Sequence, residues 1–296
     1  MHALTLARQR IRARLDSPTT PTPVRLAHGL VEKGRPQYLP VLSSALAQDL
    51  LERGYDARTL ERVYANRAGG DLGPVSRVMD RVVLNLPVHA ALRERLQAFQ
   101  GEICAAAVLG ARQEGISTFR ILNAPCGLAP ELMAVAERLR GRHSPVLARL
   151  HCWGVDPDPD NRILAEAARR TAAVGLRMEF IREDLRRRRS VAALMQQAGP
   201  FHLICCPGLT QAFPGRDTQE LVHFYAGLLQ PGGTLLLDRW QPAEKHRLDR
   251  GLGVGMRYLS RQDLRALLEG AGLQVEREHA TGEGGCVVTM ARRPAP

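Results

Sequence analysis

The stretch Phe119–Leu132, FRILNAPCGLAPEL, narrows the possible folds more than any other part of the chain. Phe119, Ile121 and Leu122 are apolar and β-favouring, whereas Leu132, Val135, Ala136 and Leu139 recur at helical spacing over Ala129–Arg140. A strand therefore runs through a short turn into a helix. Gly127 lets another group approach the turn backbone closely. At the carboxyl end of a parallel strand, such a turn points the N–H groups of a helix start into a crevice where ligands lie.

The spacing downstream repeats the unit. Arg149–Asp156 (RLHCWGVD) reads as a second strand ending in an acid, twenty-nine positions after Gly127. In nucleotide-binding α/β units an acid about 20 residues on holds ribose hydroxyls, and a long helix or loop would account for the excess here. Met178–Leu185 (MEFIREDL) reads as a third strand ending in Asp184, and Phe201–Cys206 as a buried fourth. Asp217–Gln230 is an amphipathic helix, and PGGTLLLDRW (231–240) turns into a fifth strand. After a polar loop to Tyr258, Ser260 caps a helix over Arg261–Ala271. Gln274–Ala280 and Cys286–Arg292, separated by TGEGG, alternate like an antiparallel hairpin.

In this order the motifs resemble class I S-adenosylmethionine (SAM) dependent methyltransferases. NAPCGLA stands where that family carries its glycine-rich first motif, GVDPDPD resembles the second and REDL the third, while FHLICCPG and LLQPGGTLLL are similar to the later strands. The likeness covers about residues 116–296. Where the family has an acid and then Gly-x-Gly-x-Gly, this chain has Asn123, then Pro125, Gly127 and Ala129. The resemblance implies a Rossmann-like, doubly wound seven-stranded sheet closed by a C-terminal antiparallel hairpin, and SAM as cofactor. It also implies cofactor contacts at Asn123, Ala124, Pro125, Cys126 and Gly127, at Asp156 and Pro157, at Asp184 and Leu185, and at Cys206. Asp156 would take the ribose hydroxyls and Asp184 the adenine amine. Asp158 and Asp160 read instead as the start of the next helix, where acids favour the dipole.

From Val24 to Gly115 the pattern is all-helical, with helices near 40–53, 56–66, 74–84 and 87–110. The chain thus divides into an Arg/Pro-rich tail (1–23), a helical region (24–115) and a SAM-binding domain (116–296). In the family, N-terminal helices form a lid over the substrate, which by that implication makes Tyr64, Asn66, Arg67 and Asp80 candidate contacts. The alternative is that these residues hold the helical layer together. Trp240 and Tyr258, on long loops near the site edge, are further candidates for the acceptor.

Composition bounds the rest. Hydrophobic content of 45% suffices for a buried core. Net charge of +11 suits a polyanion, yet only 4% of residues are aromatic, which leaves few rings for base stacking. The run Arg186–Arg189 reads as a solvated stretch before a helix over 191–198 capped by Ser190. Six cysteines without metal-ligand spacing argue against a zinc site and fit a reducing cytoplasm. The longest apolar run, Ile103–Leu109, is too short for a transmembrane helix.

Methyl transfer from a sulfonium is an in-line displacement, so alignment in a dry site does most of the work and no universal catalytic residue is required. His202, His223, Asp238 and His279, expected on or near the same carboxyl edge of the sheet as Gly127 and Asp156, are candidates should the acceptor need a base. The expected acceptor is a small molecule or lipid-like compound, methylated on oxygen or nitrogen, and a homo-oligomer is compatible with the sequence. Two other readings stay open. One is an RNA methyltransferase with Cys126, in an APC stretch, as nucleophile. The other is a methyltransferase-like assembly module that has lost the cofactor. The missing Gly-x-Gly-x-x-Gly and the closing antiparallel hairpin argue against a nicotinamide dehydrogenase.

Overall fold

The structure is a computed structural model and describes residues 42–69, 73–113, 115–141, 143–158, 161–185, 198–213, 215–241, 258–281 and 285–295. The tail 1–23, Asp160, the Arg186–Arg189 run with Ser190 and the helix expected after it up to 197, and most of the loop before Tyr258 lie outside the described residues. Two compact units divide at Ala90–Ala91.

In the first unit, α1 (Ala45–Arg53), α2 (Ala57–Ala65) and α3 (Pro74–Leu84) are held by side chains that close helix ends. Ser44 Oγ accepts the Ala47 N–H, and Asp56 accepts the Thr59 N–H at 2.7 Å, the cap read from the sequence. Asp80 is fully buried on α3 and accepts Ser44 Oγ at 2.6 Å and the Leu46 N–H at 3.1 Å, with Arg62 at 3.5 Å. That clamp ties three helices together. Asp80 therefore serves the helical layer, as the structural alternative held, and is not presented to a substrate.

The second unit begins within α4 (Pro87–Gly110) and contains one seven-stranded sheet: β1 (Phe119–Asn123), β2 (Leu150–Asp156), β3 (Met178–Arg182), β4 (Phe201–Cys206), β5 (Leu229–Trp240), β6 (Gln274–Ala280) and β7 (Cys286–Arg292). The spatial order is β3-β2-β1-β4-β5-β7-β6. β1 to β5 are parallel; β7 alone runs antiparallel, between β5 and β6. Both faces of the central strands are covered, so their sequences are near-continuous apolar runs. Alternation then splits the core. Leu122, Val155, Ile204, Leu235 and Leu237 pack on α9 (Gly215–Leu228) and α10 (Arg261–Gly270), while Ile121, Cys152, Leu203, Cys205 and Leu236 pack with α4 and α5 (Pro130–Leu139).

Three elements differ from the sequence reading. A further short helix, α6 (Ser144–Arg149), lies between α5 and β2 and explains the twenty-nine-residue spacing from Gly127 to Asp156. A four-residue helix, α8 (Leu209–Ala212), follows β4. β3 ends at Arg182, so Asp184 lies beyond the strand. α7 (Ile163–Ala173) takes its start from Asp158, whose buried carboxylate accepts the Leu164 N–H at 2.9 Å. This is the helix-start role expected of that acid.

Candidate functional site

β1 lies between β2 and β4, and the turn at its carboxyl end is bonded to both. The Ala124 N–H donates to Cys205 O at 2.9 Å and the Cys126 N–H to Val155 O at 3.0 Å. Asp156 completes the attachment: one carboxylate oxygen accepts the Gly127 N–H at 2.9 Å and the other the Asp158 N–H at 3.2 Å. Burial raises the Asp156 pKa, and these two backbone bonds pull it back. The first and second strand ends thus form one structure.

Gly127 has φ +48° and Ala129 φ +53°. For an L residue the left-handed region costs about 1–2 kcal/mol, and fully buried Ala129 adopts it where the resembling family has its third glycine. The loop keeps the shape of a glycine-rich turn with only one glycine.

Cys126 is buried against Gly154 of β2. A Cβ on Gly154 would come within 2.9 Å of Cys126 Sγ, 2.7 Å of Met178 Cε and 3.0 Å of Phe180 Cδ1. Burial first, then Asp156, pushes the Cys126 thiol far above its usual range. Such a group stays protonated and packed under the turn, unlike an exposed nucleophile. We expect Gly154→Ala to lower stability by about 1–3 kcal/mol through overpacking, read as a fall of several degrees in Tm. An unchanged Tm would show that Met178 and Cys126 yield freely.

The neighbouring edge positions gather as follows. Glu183 donates its N–H to Asp156 O at 3.1 Å, which draws the chain after β3 alongside the end of β2. Asp184 is half-buried next to it and Leu185 is buried. Pro157 is exposed. Cys206, fully buried at the end of β4, sits beside the Tyr225 hydroxyl, which donates to Ala124 O at 3.2 Å. Asn123, the turn, Asp156, Asp184 and Cys206 therefore share one end of the sheet.

The acceptor candidates are less uniform. Trp240 is fully buried at the end of β5, where its carbonyl accepts the Leu259 N–H at 3.3 Å, and Tyr258 beside it is half-buried. Trp240 does not present its ring to an acceptor in this state. In the helical unit Tyr64 is half-buried, Asn66 ends α2 in the left-handed conformation and Arg67 is exposed.

Two of the base candidates are displaced from the edge expected for them. His202 is the second residue of β4, at the amino end of the strand, where it accepts the Arg120 N–H at 3.0 Å and stacks on Phe119. Burial lowers its pKa, with Arg120 adding to the shift. His223 lies mid-helix in α9 and turns its ring nitrogens to Gln219 O and Gly270 O, joining α9 to α10. His279 is exposed, in register with Asp238 through Val288, two strands or about 10 Å away.

Asp238 is the fourth, and it anchors a buried polar cluster that the sequence reading missed. One oxygen accepts the Gly208 N–H at 2.6 Å; the other faces Gln211 Nε2 at 3.2 Å, Arg95 at 3.4 Å and the Cys286 thiol at 3.8 Å. With both oxygens engaged, it fits a positioning carboxylate better than a base. Arg95 reaches it from α4, and Glu131, in the first turn of α5, feels the charges of both. Burial raises the Glu131 pKa most, against the lowering pull of its own backbone N–H, of Arg95 and of the Asn123 amide. Asn123 approaches Glu131 without full hydrogen-bond geometry: both its amide atoms and Glu131 Oε2 are buried without a partner. A signal for these residues was present. Arg95 interrupts the apolar stripe Val88, Leu92, Phe99, Ile103, and Glu131 the stripe Val135, Leu139.

No family model and no curated protein matches the sequence. Solved structures do match in fold. A "possible exported protein" from Bordetella parapertussis is 22% identical, with a TM-score of 0.64 over 98% of this chain and 93% of that one. Magnesium protoporphyrin IX methyltransferase from Synechocystis, solved with bound SAH, is 17% identical, with a TM-score of 0.54 over 83% of this chain and 96% of that one. This is the class I methyltransferase fold. Its seven-stranded mixed sheet, helical N-terminal region and closing antiparallel strands are those the resemblance implied. Among the described residues, no helix is long and apolar enough to cross a membrane, and no three His, Cys, Asp or Glu side chains are grouped so as to hold a metal ion.

Proposed function

We propose that the chain is a SAM-dependent methyltransferase that methylates oxygen or nitrogen of a small-molecule or lipid-like acceptor in a reducing, cytoplasmic compartment. The observation that carries this reading is the coincidence, at one end of β1, of the Asp156-tethered turn with the unpartnered amide of Asn123 and unpartnered oxygen of Glu131. Buried polar atoms are nearly always satisfied, so orphans at a ligand-binding edge fit a polar ligand. The residues present therefore suit the cofactor.

In this reading Asn123 to Gly127 would hold the aminoacyl part, Asp156 and Pro157 the ribose, and Asp184, Leu185 and Cys206 the adenine side. Each Asp156 oxygen accepts one backbone N–H and retains a lone pair for a hydroxyl. Bound SAM supplies an electrophilic methyl group, and the chain's contribution is alignment and exclusion of water. Tyr258 is the proposed acceptor contact of the sheet unit, backed by Trp240, and Tyr64 and Arg67 those of the helical unit. The helical region 24–115 is assigned to the acceptor and 116–296 to the cofactor. Solved SAH- and SAM-bound structures of the Synechocystis enzyme support the cofactor. The RNA reading loses its nucleophile with the packing of Cys126.

Calorimetric titration with S-adenosylhomocysteine (SAH) tests this without knowledge of the acceptor. Micromolar binding is expected. No binding would move the assembly-module reading to the front.

A further inference from the structure

The polar cluster at the end of β1 carries an imbalance of charge. Glu131 and Asp238 contribute two carboxyl groups and Arg95 one guanidinium, all three side chains buried. Arg95 and Asp238 face each other at 3.4 Å, whereas Glu131 keeps Oε2 unpartnered at 3% exposure. A buried ionised carboxylate demands a compensating cation or several donors. Asn123, fully buried alongside, has an unpartnered carbonyl oxygen and an unpartnered amide nitrogen. The acceptors Asn123 Oδ1 and Glu131 Oε2 suit a compact group with several N–H donors, and the Asn123 amide nitrogen suits an oxygen of the same ligand.

Position supports the same conclusion. Asn123 is the last residue of β1 and adjoins the turn that Asp156 tethers, while Glu131 lies in the first turn of the helix that leaves that turn. Resemblance places an acid at 123, but this chain has an amide there and a buried acid at 131.

Resting on the methyltransferase reading above, we propose that Glu131, paired with Asn123, recognises the α-ammonium group of the cofactor, so that the acid of this subsite comes from α5 instead of from β1. A sulfonium has no N–H to offer these acceptors. An ammonium has three.

The test compares SAH with its desamino analogue, which lacks only the α-ammonium, by calorimetric titration of the full chain. Wild type is expected to bind SAH at least tenfold more tightly than the analogue. Glu131→Gln, close to isosteric, is expected to shrink the preference below about threefold by weakening SAH and not the analogue. The exchange variant, Asn123→Asp with Glu131→Gln, returns one acid to the pair and is expected to restore at least fivefold preference. That variant keeps the test decisive should the single variant melt. A tenfold preference retained in Glu131→Gln, equal binding of the two ligands by wild type, or no restoration by the exchange overturns the assignment and leaves the methyltransferase reading standing. Binding of neither ligand by wild type overturns both.

Discussion

Asp156→Ala is expected to weaken SAH binding at least tenfold and to cost about 2 kcal/mol of stability. The carboxylate does two things at once. It holds the turn, through the N–H groups of Gly127 and Asp158, and it would present its remaining lone pairs to the ribose. A hydrogen bond to a charged group contributes about 1.5–3 kcal/mol; two are lost, and part of that loss is offset because the substitution also removes a carboxylate that burial disfavours. Asp156→Asn separates the two roles, since the amide oxygen can still accept from Gly127 while one acceptor becomes a donor. It should therefore keep most of the stability and lose most of the affinity. Thermal denaturation and calorimetry on both variants check this, and affinity unchanged in both would remove Asp156 from the ribose site. The pH dependence has a definite sign. Burial raises the folded pKa above the unfolded value, so the associated stability is present below the usual carboxylate range and fades as pH rises through the raised folded value. Asp156→Asn removes that dependence.

Much of the fold was legible because its elements are written in local pattern. α3 over Pro74–Leu84, α4 over Pro87–Gly110 and the strands Gln274–Ala280 and Cys286–Arg292 fall where periodicity and proline placement put them. α6 and α8 were not legible. They have six and four residues, too few for a helical repeat to stand out. The site was legible where it depends on chain order: Gly127 and Asp156 meet because parallel neighbours bring successive strand ends to one edge. Arg95, Glu131 and Asp238 were not assembled from the sequence, since α4, α5 and β5 are far apart along the chain and only the sheet brings them together. The visible mark was one charge in each apolar helical stripe, and a single charge there is also what a snorkelling surface residue looks like. His202 was misplaced for a simpler reason. It was assigned to the correct strand and to the wrong end of it.

Asp238→Ala is expected to cost about 3–5 kcal/mol, the largest loss of any single substitution considered. Asp238 is fully buried and Arg95 nearly so, with side-chain exposures of 0% and 4%. Asp238 is the carboxylate that faces Arg95 at 3.4 Å, and breaking a buried pair by removing one partner costs about 3–5 kcal/mol even where the intact pair contributes little net stability. The loss does not stop at Arg95. Gly208 and Gln211 also lose their acceptor, so the turn after β4, which opens α8, is tied less firmly to the end of β5, where the Thr210 hydroxyl still donates to the Asp238 carbonyl at 3.0 Å. Asp238→Asn keeps an oxygen for the Gly208 N–H and gives up the charge, so the difference between the two variants isolates the turn from the ion pair. A further change, Arg95→Met, made on top of Asp238→Ala should recover a good part of the loss, because it removes a buried guanidinium that has lost its facing carboxylate and fills its volume with an apolar chain. Urea denaturation of the single and double variants measures this coupling. If Asp238→Ala costs under about 1 kcal/mol, or if Arg95→Met adds its full cost instead of relieving it, then Arg95 is not committed to Asp238 as a buried ion pair, and the orphan oxygen of Glu131 loses the charge argument that points it toward a cation.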